Sequence, residues 1–178
     1  MYPWDGKNVY FMGFMGTGKS KVGRAFARLI GRPFADTDDL IVARASMDIR
    51  AIFAAKGEES FRALEDEIVQ EICGRQQWVV SLGGGAVMRP NNWSLICATG
   101  ITICLEASLE VLTNRLSRKR ERPLVQGLGA EALRRRIEDL YAERAPIYQQ
   151  AHYHFESREE VTASQLAETI FLYLRDEP

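Results

Sequence analysis

Cysteine and histidine are scarce in this chain. Three cysteines (Cys73, Cys97, Cys104) and two histidines (His152, His154) stand among 178 residues. An odd cysteine count with no C-x-x-C spacing argues against a disulfide framework and against a cysteine-based zinc cluster. It fits a reducing compartment, and a cytoplasmic location is expected. The two histidines fall on one face of a short strand. Without a third ligand they read as edge residues rather than a metal centre. Net charge is nearly absent as well, at a formal −1. General binding to phosphate backbones needs a basic surface, so no nucleic-acid partner is expected. No apolar run approaches the about 18 residues of a membrane span. The first residues, MYPWDGKN, lack a basic start followed by an apolar segment, so neither a signal peptide nor a membrane partner is expected. Repeats and low-complexity tracts are missing, and no exposed apolar stripe stands out, which makes a monomer the expectation.

What is present is a globular composition, 46% apolar and 26% charged. The length suits one domain, residues 1–178, able to bury about 70% of the unfolded chain's surface. Apolar runs at 9–14, 33–35, 78–82, 101–105 and 153–156 read as strands. Helical spacing marks 19–30, 39–45, a short piece around 49–53 closed by Gly57, 58–72, 109–116 and 131–150, the last with Pro146 as a bend or interruption. Ser108 reads as an N-cap, and Thr162 with Gln165 has capping-box spacing before Leu166, Ile170 and Leu174. Strands alternating with helices predict an α/β fold of three layers, α/β/α, with a parallel sheet covered on both faces. Ligands then collect at the carboxyl ends of the strands.

One motif sits at such an end. Gly13-Phe14-Met15-Gly16-Thr17-Gly18-Lys19-Ser20 fits G-x-x-x-x-G-K-[ST], after a strand and opening a helix. Glycines let backbone N–H groups turn around an anion, and the helix end adds partial positive charge. Gly16, Thr17 and Gly18 would line the phosphates of ATP, Lys19 would reach the β- and γ-phosphates, and Ser20 would offer its hydroxyl to Mg²⁺. Lys21 follows, beside the nucleotide or in solvent. The cradle alone leaves a switch, an ATPase and a small-molecule kinase open.

Other residues narrow the choice. Asp36-Thr37-Asp38 ends the second strand on the same rim. One carboxylate would help hold hydrated Mg²⁺, and the other would accept from a substrate hydroxyl and assist its deprotonation. The alternative for these acids is an aspartate-rich helix cap, with Asp39 the better candidate for a pure cap. Arg62 has Glu65 three residues on, as in a surface pair, or it holds a substrate carboxylate; Arg144 poses the same alternative. Residues 117–129 read as a mobile loop, either simply solvated or a lid that brings Arg122, stiffened by Pro123, to the transferring phosphoryl. The run Gly83-Gly84-Gly85 closes the third strand. Glycine there costs entropy and packs nothing, so something must pass close to the backbone.

Taken in order, these segments resemble the shikimate kinases: GxxGxGKS at 13–20, D-T-D at 36–38, Gly57-Glu58-x-x-Phe61-Arg62-x-x-Glu65, Gly83-Gly84-Gly85, Arg122-Pro123-Leu124 and Glu143-Arg144-x-Pro146-x-Tyr148. The resemblance runs from Val9 to about Leu174. It implies a P-loop fold like that of nucleoside monophosphate kinases, with five parallel strands. It implies ATP-dependent phosphorylation of the 3-hydroxyl of shikimate, with Mg²⁺ and ATP bound. Asp38 would bind substrate hydroxyls as general base, and Asp36 would support Mg²⁺ through water alongside Ser20. Arg62 and Arg144 would pair with the shikimate carboxylate, assisted by backbone at Gly84 and Gly85. Residues 36–74 would form the substrate-binding region. Arg122 would reach the ATP phosphates, Arg115 would lie against adenine, and Arg158 would stand near it. A related kinase of another polyol acid, such as gluconate, or of a nucleotide, and a regulatory nucleotide switch are the alternatives.

Overall fold

The computed structural model describes residues 2–118 and 129–176. Five strands form one parallel sheet: β1 (Asn8–Met12), β2 (Phe34–Asp36), β3 (Val79–Ser81), β4 (Gly100–Glu106) and β5 (Tyr153–Glu156). Their spatial order is β2-β3-β1-β4-β5, every neighbouring pair being parallel. All five residues of β1 are buried, as a strand covered on both faces requires.

Alternation along the strands divides the core. Val9, Phe11, Val79, Ile101 and Ile103 point to one face, where α1 (Lys19–Leu29) and α7 (Ala163–Arg175) bring Val22, Phe26, Leu166 and Ile170. Tyr10, Met12, Val80 and Cys104 point to the other. There they meet α3 (Ile49–Cys73), α4 (Pro90–Thr99), α5 (Leu109–Ser117) and α6 (Ala130–Tyr148). A third, smaller cluster, Ile41, Ile52, Phe61 and Ile68, joins α2 (Thr37–Ala45) to α3 beside the sheet.

The expected three-layer arrangement is therefore the observed one, with local differences. Residues 90–99 are helical, although the sequence reading assigned them nothing. Pro90 opens that helix in its first turn and Ile96 is its deeply buried side chain, too few apolar positions to set a clear period. The helix from 130 to 148 runs through Pro146, which stands in its last turn and removes one N–H from the hydrogen-bond ladder. Gly57 does interrupt the long helical stretch, at φ 79°. The caps at Ser108 and at Thr162 with Gln165 form as expected. The cap of α2 does not: Asp36, rather than Asp39, accepts the Asp38 N–H, at 3.0 Å, because the helix starts two residues earlier than its apolar period suggests. Asp39 instead lies exposed, 3.9 Å from Arg24.

Candidate active site

The carboxyl ends of β1, β2 and β3 carry the site. After β1 the chain turns back on itself around residues 13–18, with Gly13, Gly16 and Gly18 at φ 128°, 88° and 95°. A side chain at Gly13 would run into the Leu105 carbonyl of β4, so only glycine lets the loop cross there. Thr17 Oγ1 donates to the Phe14 carbonyl at 2.8 Å, which braces the loop from within. Gly18 starts α1 with no side-chain cap and no acidic residue in the first turn, so the positive end of the helix faces the loop uncompensated. Lys19 is buried, and its ammonium donates to the Gly13 and Phe14 carbonyls at 2.9 Å each.

Beside this loop opens a cavity of about 540 Å³, lined by Gly16, Gly18, Lys19, Ser20 and Lys21, and across from them by Arg115, Arg118, Ser157 and Thr162. That volume is in the range of small-molecule sites. Arg115 is pinned in its wall: it donates to the Gly16 carbonyl at 3.0 Å, to Ser157 Oγ at 2.9 Å and to the Arg158 carbonyl at 2.8 Å. It thereby ties the phosphate loop to the segment after β5. Arg158 contributes that carbonyl, while its own guanidinium pairs with Glu156 and does not line the cavity. Lys21 is exposed on the rim.

Ser20 Oγ lies 3.3 Å from Ser81 Oγ, and Ser81 is the sheet partner of Asp36. Paired residues of neighbouring strands share a face. The hydroxyls of Ser20 and Ser81 and the carboxylate of Asp36 therefore form a set of hard oxygen donors, the kind that suits Mg²⁺ and leaves it several waters.

The triple glycine separates this half of the site from the other. None of Gly83, Gly84 and Gly85 has a positive φ, so backbone conformation is not what demands glycine. Space does. A methyl group at Gly83 would lie 2.6 Å from Asp38 Oδ1; at Gly84, 3.1 Å from Arg144 Nη1; at Gly85, against the Arg62 guanidinium, with Cζ at 3.1 Å. Each glycine leaves room for one of three side chains that the sequence puts forward as site residues. The structure thus brings Asp38, Arg62 and Arg144 together, from α2, α3 and α6.

Arg144 is 6% exposed, and among the described residues its Nε makes no hydrogen bond. Its guanidinium stands 5.9 Å from the Phe14 ring centre. One turn on, Tyr148 donates to the Gly84 carbonyl at 2.8 Å, and burial, opposed by Arg144, pushes the phenol up to about 12. A buried cation with an unused donor is costly unless an anion arrives to meet it.

Arg62 corrects the surface-pair alternative. It donates to Glu65 Oε2 at 2.7 Å and to Glu58 at 3.2 Å, yet Glu65 is only 1% exposed. Burial raises the Glu65 carboxyl above its usual range, against the pull of Arg62. The pair is a fixed part of the candidate site's wall; Glu65 reads in the sequence only as a partner of Arg62, and Tyr148, Ser81 and Phe14, which adjoin the same place, have no role there. Arg122 lies outside the described residues, as does 119–128 as a whole.

This geometry has known counterparts. Residues 15–175 match the family model for shikimate kinase. The chain belongs to the shikimate kinase family. A shikimate kinase of Geobacter sulfurreducens is 49% identical over 124 residues, 70% of this chain and 68% of the relative. The solved shikimate kinase of Acinetobacter baumannii in complex with shikimate superposes at a TM-score of 0.89 with 34% identity, covering 98% of this chain and 96% of that one. A gluconokinase of Sinorhizobium meliloti reaches a TM-score of 0.54 at 16% identity, a likeness of fold alone. Against this shikimate kinase background the crowding at Gly85 yields a specific expectation. Gly85→Val displaces the Arg62 guanidinium and raises the apparent KM for shikimate at least about tenfold, as loss of a charge-assisted hydrogen bond does, while the KM for ATP stays within about twofold. Steady-state kinetics varying each substrate in turn check it; equal changes in both would oppose the assignment.

Proposed function

We propose that this chain transfers the terminal phosphoryl group of ATP to the 3-hydroxyl of shikimate, releasing ADP and shikimate 3-phosphate on the route to chorismate and aromatic amino acids. The observation that carries the reading is the junction at Gly13 and Gly84. The Gly13 carbonyl accepts from Lys19, and a methyl group at Gly84 would lie 3.7 Å from that same oxygen and 3.1 Å from Arg144 Nη1. A phosphate-binding cation and a carboxylate-binding cation therefore approach one point of backbone.

Catalysis follows from placement and charge. The carboxylate of shikimate takes the unused donor of Arg144 and the guanidinium of Arg62, whose other face Glu65 holds. That fixes the ring against Gly84 and Gly85. Asp38 accepts from the 3-hydroxyl and takes its proton as the oxygen attacks phosphorus. The bond from the γ-phosphorus to the bridging oxygen breaks, and ADP leaves with that electron pair. Lys19 moves from the Gly13 and Phe14 carbonyls onto the phosphate oxygens, where its charge is needed more. Backbone at Gly16, Thr17 and Gly18 surrounds the phosphates. Arg115, with Lys21 on the rim, shapes the cavity for the rest of the nucleotide; Arg158 positions Arg115 through its carbonyl. Ser20 directly, and Asp36 through water, would hold Mg²⁺, which when bound would supply positive charge to the phosphates. Arg122 is assigned a further charge on the phosphates, and 117–129 the part of a lid, from the sequence resemblance. Residues 36–74 are assigned as the acceptor-binding segment. The enzyme is taken to act as a monomer. Among the described residues no helix is long and apolar enough to cross a membrane.

The test is a coupled assay of ADP release with ATP and Mg²⁺, with shikimate, with gluconate and with no acceptor. The reading predicts saturable release with shikimate and a background rate in the other two. Faster release with gluconate would reassign the acceptor, and slow hydrolysis indifferent to either acid would point to a nucleotide switch.

A further inference from the structure

In the sequence His154 lacks a set of partner ligands, and the sheet supplies two. Cys104 on β4 is the register partner of His154 on β5. Glu106 lies two residues beyond Cys104, so its side chain leaves the same face of the strand. One donor atom from each of Cys104, Glu106 and His154 lies within 4.8 Å of the others. His154 Nδ1 already meets Glu106 Oε1 at 2.8 Å. We propose that Cys104, Glu106 and His154 form a second metal site, taking a borderline-soft divalent cation of the zinc class with water in the fourth position.

The donor set selects the metal. A thiolate, an imidazole nitrogen and one carboxylate oxygen suit zinc or cobalt, and they do not suit magnesium, which takes oxygen donors. Ligand bonds of 2.0–2.3 Å in a tetrahedron require donors roughly 3.5 Å apart, so the present arrangement needs a contraction of about an ångström and the opening of the contact between His154 and Glu106. The side chains able to make that adjustment are the accessible ones. His154 is exposed and Glu106 half-buried at the open edge of the sheet, whereas Cys104 is fixed in the core at 1% exposure. A cation would enter from the β5 edge and meet the thiol last.

The electrostatic setting makes the thiolate costly, so a metal must compete with the thiol proton. Burial pushes the Cys104 thiol up to about 12, Glu106 adds to the rise, and Lys19 opposes it. Tyr141 faces the same place, its phenol raised by burial and then by Glu106 and Cys104. A bound cation supplies the missing positive charge: a sulfur–metal bond replaces the sulfur–hydrogen bond, and the proton goes to solvent. None of the three ligands lines the nucleotide cavity, and none is among the Mg²⁺ donors at Ser20, Ser81 and Asp36.

Cobalt titration of the full-length, untagged protein without nucleotide is the test. The expected result is a near-ultraviolet thiolate-to-cobalt charge-transfer band with the visible bands of a tetrahedral ion. Zinc displaces it and excess magnesium leaves it in place. Cys104→Ser abolishes the charge-transfer band, Cys97→Ser preserves it, and His154→Asn weakens cobalt binding at least about tenfold, the lower bound for losing a group that tunes a metal site. If Cys104→Ser does not fold, His154→Asn and Glu106→Gln, both towards the open edge, decide the matter by the same loss of affinity. Absence of a thiolate band in the unaltered protein, its loss on Cys97→Ser instead, or unchanged affinity in His154→Asn would overturn the proposal.

Discussion

Arg144→Ala raises the apparent KM for shikimate by about 30-fold or more and leaves the affinity for ATP unchanged. The magnitude follows from the site. Arg144 is 6% exposed with an unused Nε, so the arriving carboxylate meets a desolvated cation with a free donor. Truncating one partner of a buried charged pair costs about 2–5 kcal/mol, and each 1.4 kcal/mol is a factor of ten. Arg144→Lys is expected to recover little, because an ammonium on a flexible stem cannot reproduce the two-pronged geometry. Tyr148, which anchors that turn of α6 to the Gly84 carbonyl, stays in place in both variants, so thermal unfolding should show intact proteins. Calorimetric titrations with shikimate and with ATP separate the two affinities. An equal loss for both ligands would mean that Arg144 supports the phosphate loop, through Phe14, rather than the acceptor.

Asp38→Asn lowers kcat by about 10²–10⁴ with little change in either KM, the range that a positioned proton acceptor contributes. Asp38 sits on the first turn of α2, half-buried, its N–H held by Asp36 Oδ1 at 3.0 Å. Its carboxylate occupies the space that Gly83 leaves open, with Glu65 Oε1 on the other side of the same gap. Asparagine keeps the shape and can still hydrogen-bond a hydroxyl, but cannot take its proton. A kcat within about tenfold of the unaltered enzyme would instead assign Asp38 to holding the ring and leave the proton to water or to phosphate oxygens.

The sheet, its two covered faces and the phosphate loop were legible because their signals are local. Buried parallel strands read as apolar runs, and a glycine-rich loop between strand and helix has few other uses. The helix over 90–99 was not legible, since one deeply buried isoleucine sets no period. The cap of α2 was misassigned for a related reason: Asp36, Asp38 and Asp39 are chemically alike, and only the start of the helix tells them apart. The site itself was half legible. Arg62, Arg144 and Asp38 could be named from motif order, and the glycines flagged as costly. Why glycine was needed could not be read, because the colliding groups come from helices 20 to 60 residues away in the chain. Glu65 was visible as a partner of Arg62, but its burial is a property of the packed helices rather than of i,i+3 spacing. The same holds for Cys104 and His154, 50 residues apart and neighbours only through the pairing of β4 with β5.

The central claim is that cations from α3 and α6 recognise the carboxylate of the acceptor at the glycine run, beside the phosphate loop. Its most direct measurement compares shikimate with its carboxamide, in which a neutral group of the same shape replaces the charge, as acceptors for ADP release. The account predicts a KM at least about tenfold higher for the carboxamide, from loss of hydrogen bonds to charged groups, with the KM for ATP unaltered. Indistinguishable KM values for the acid and the carboxamide would contradict it.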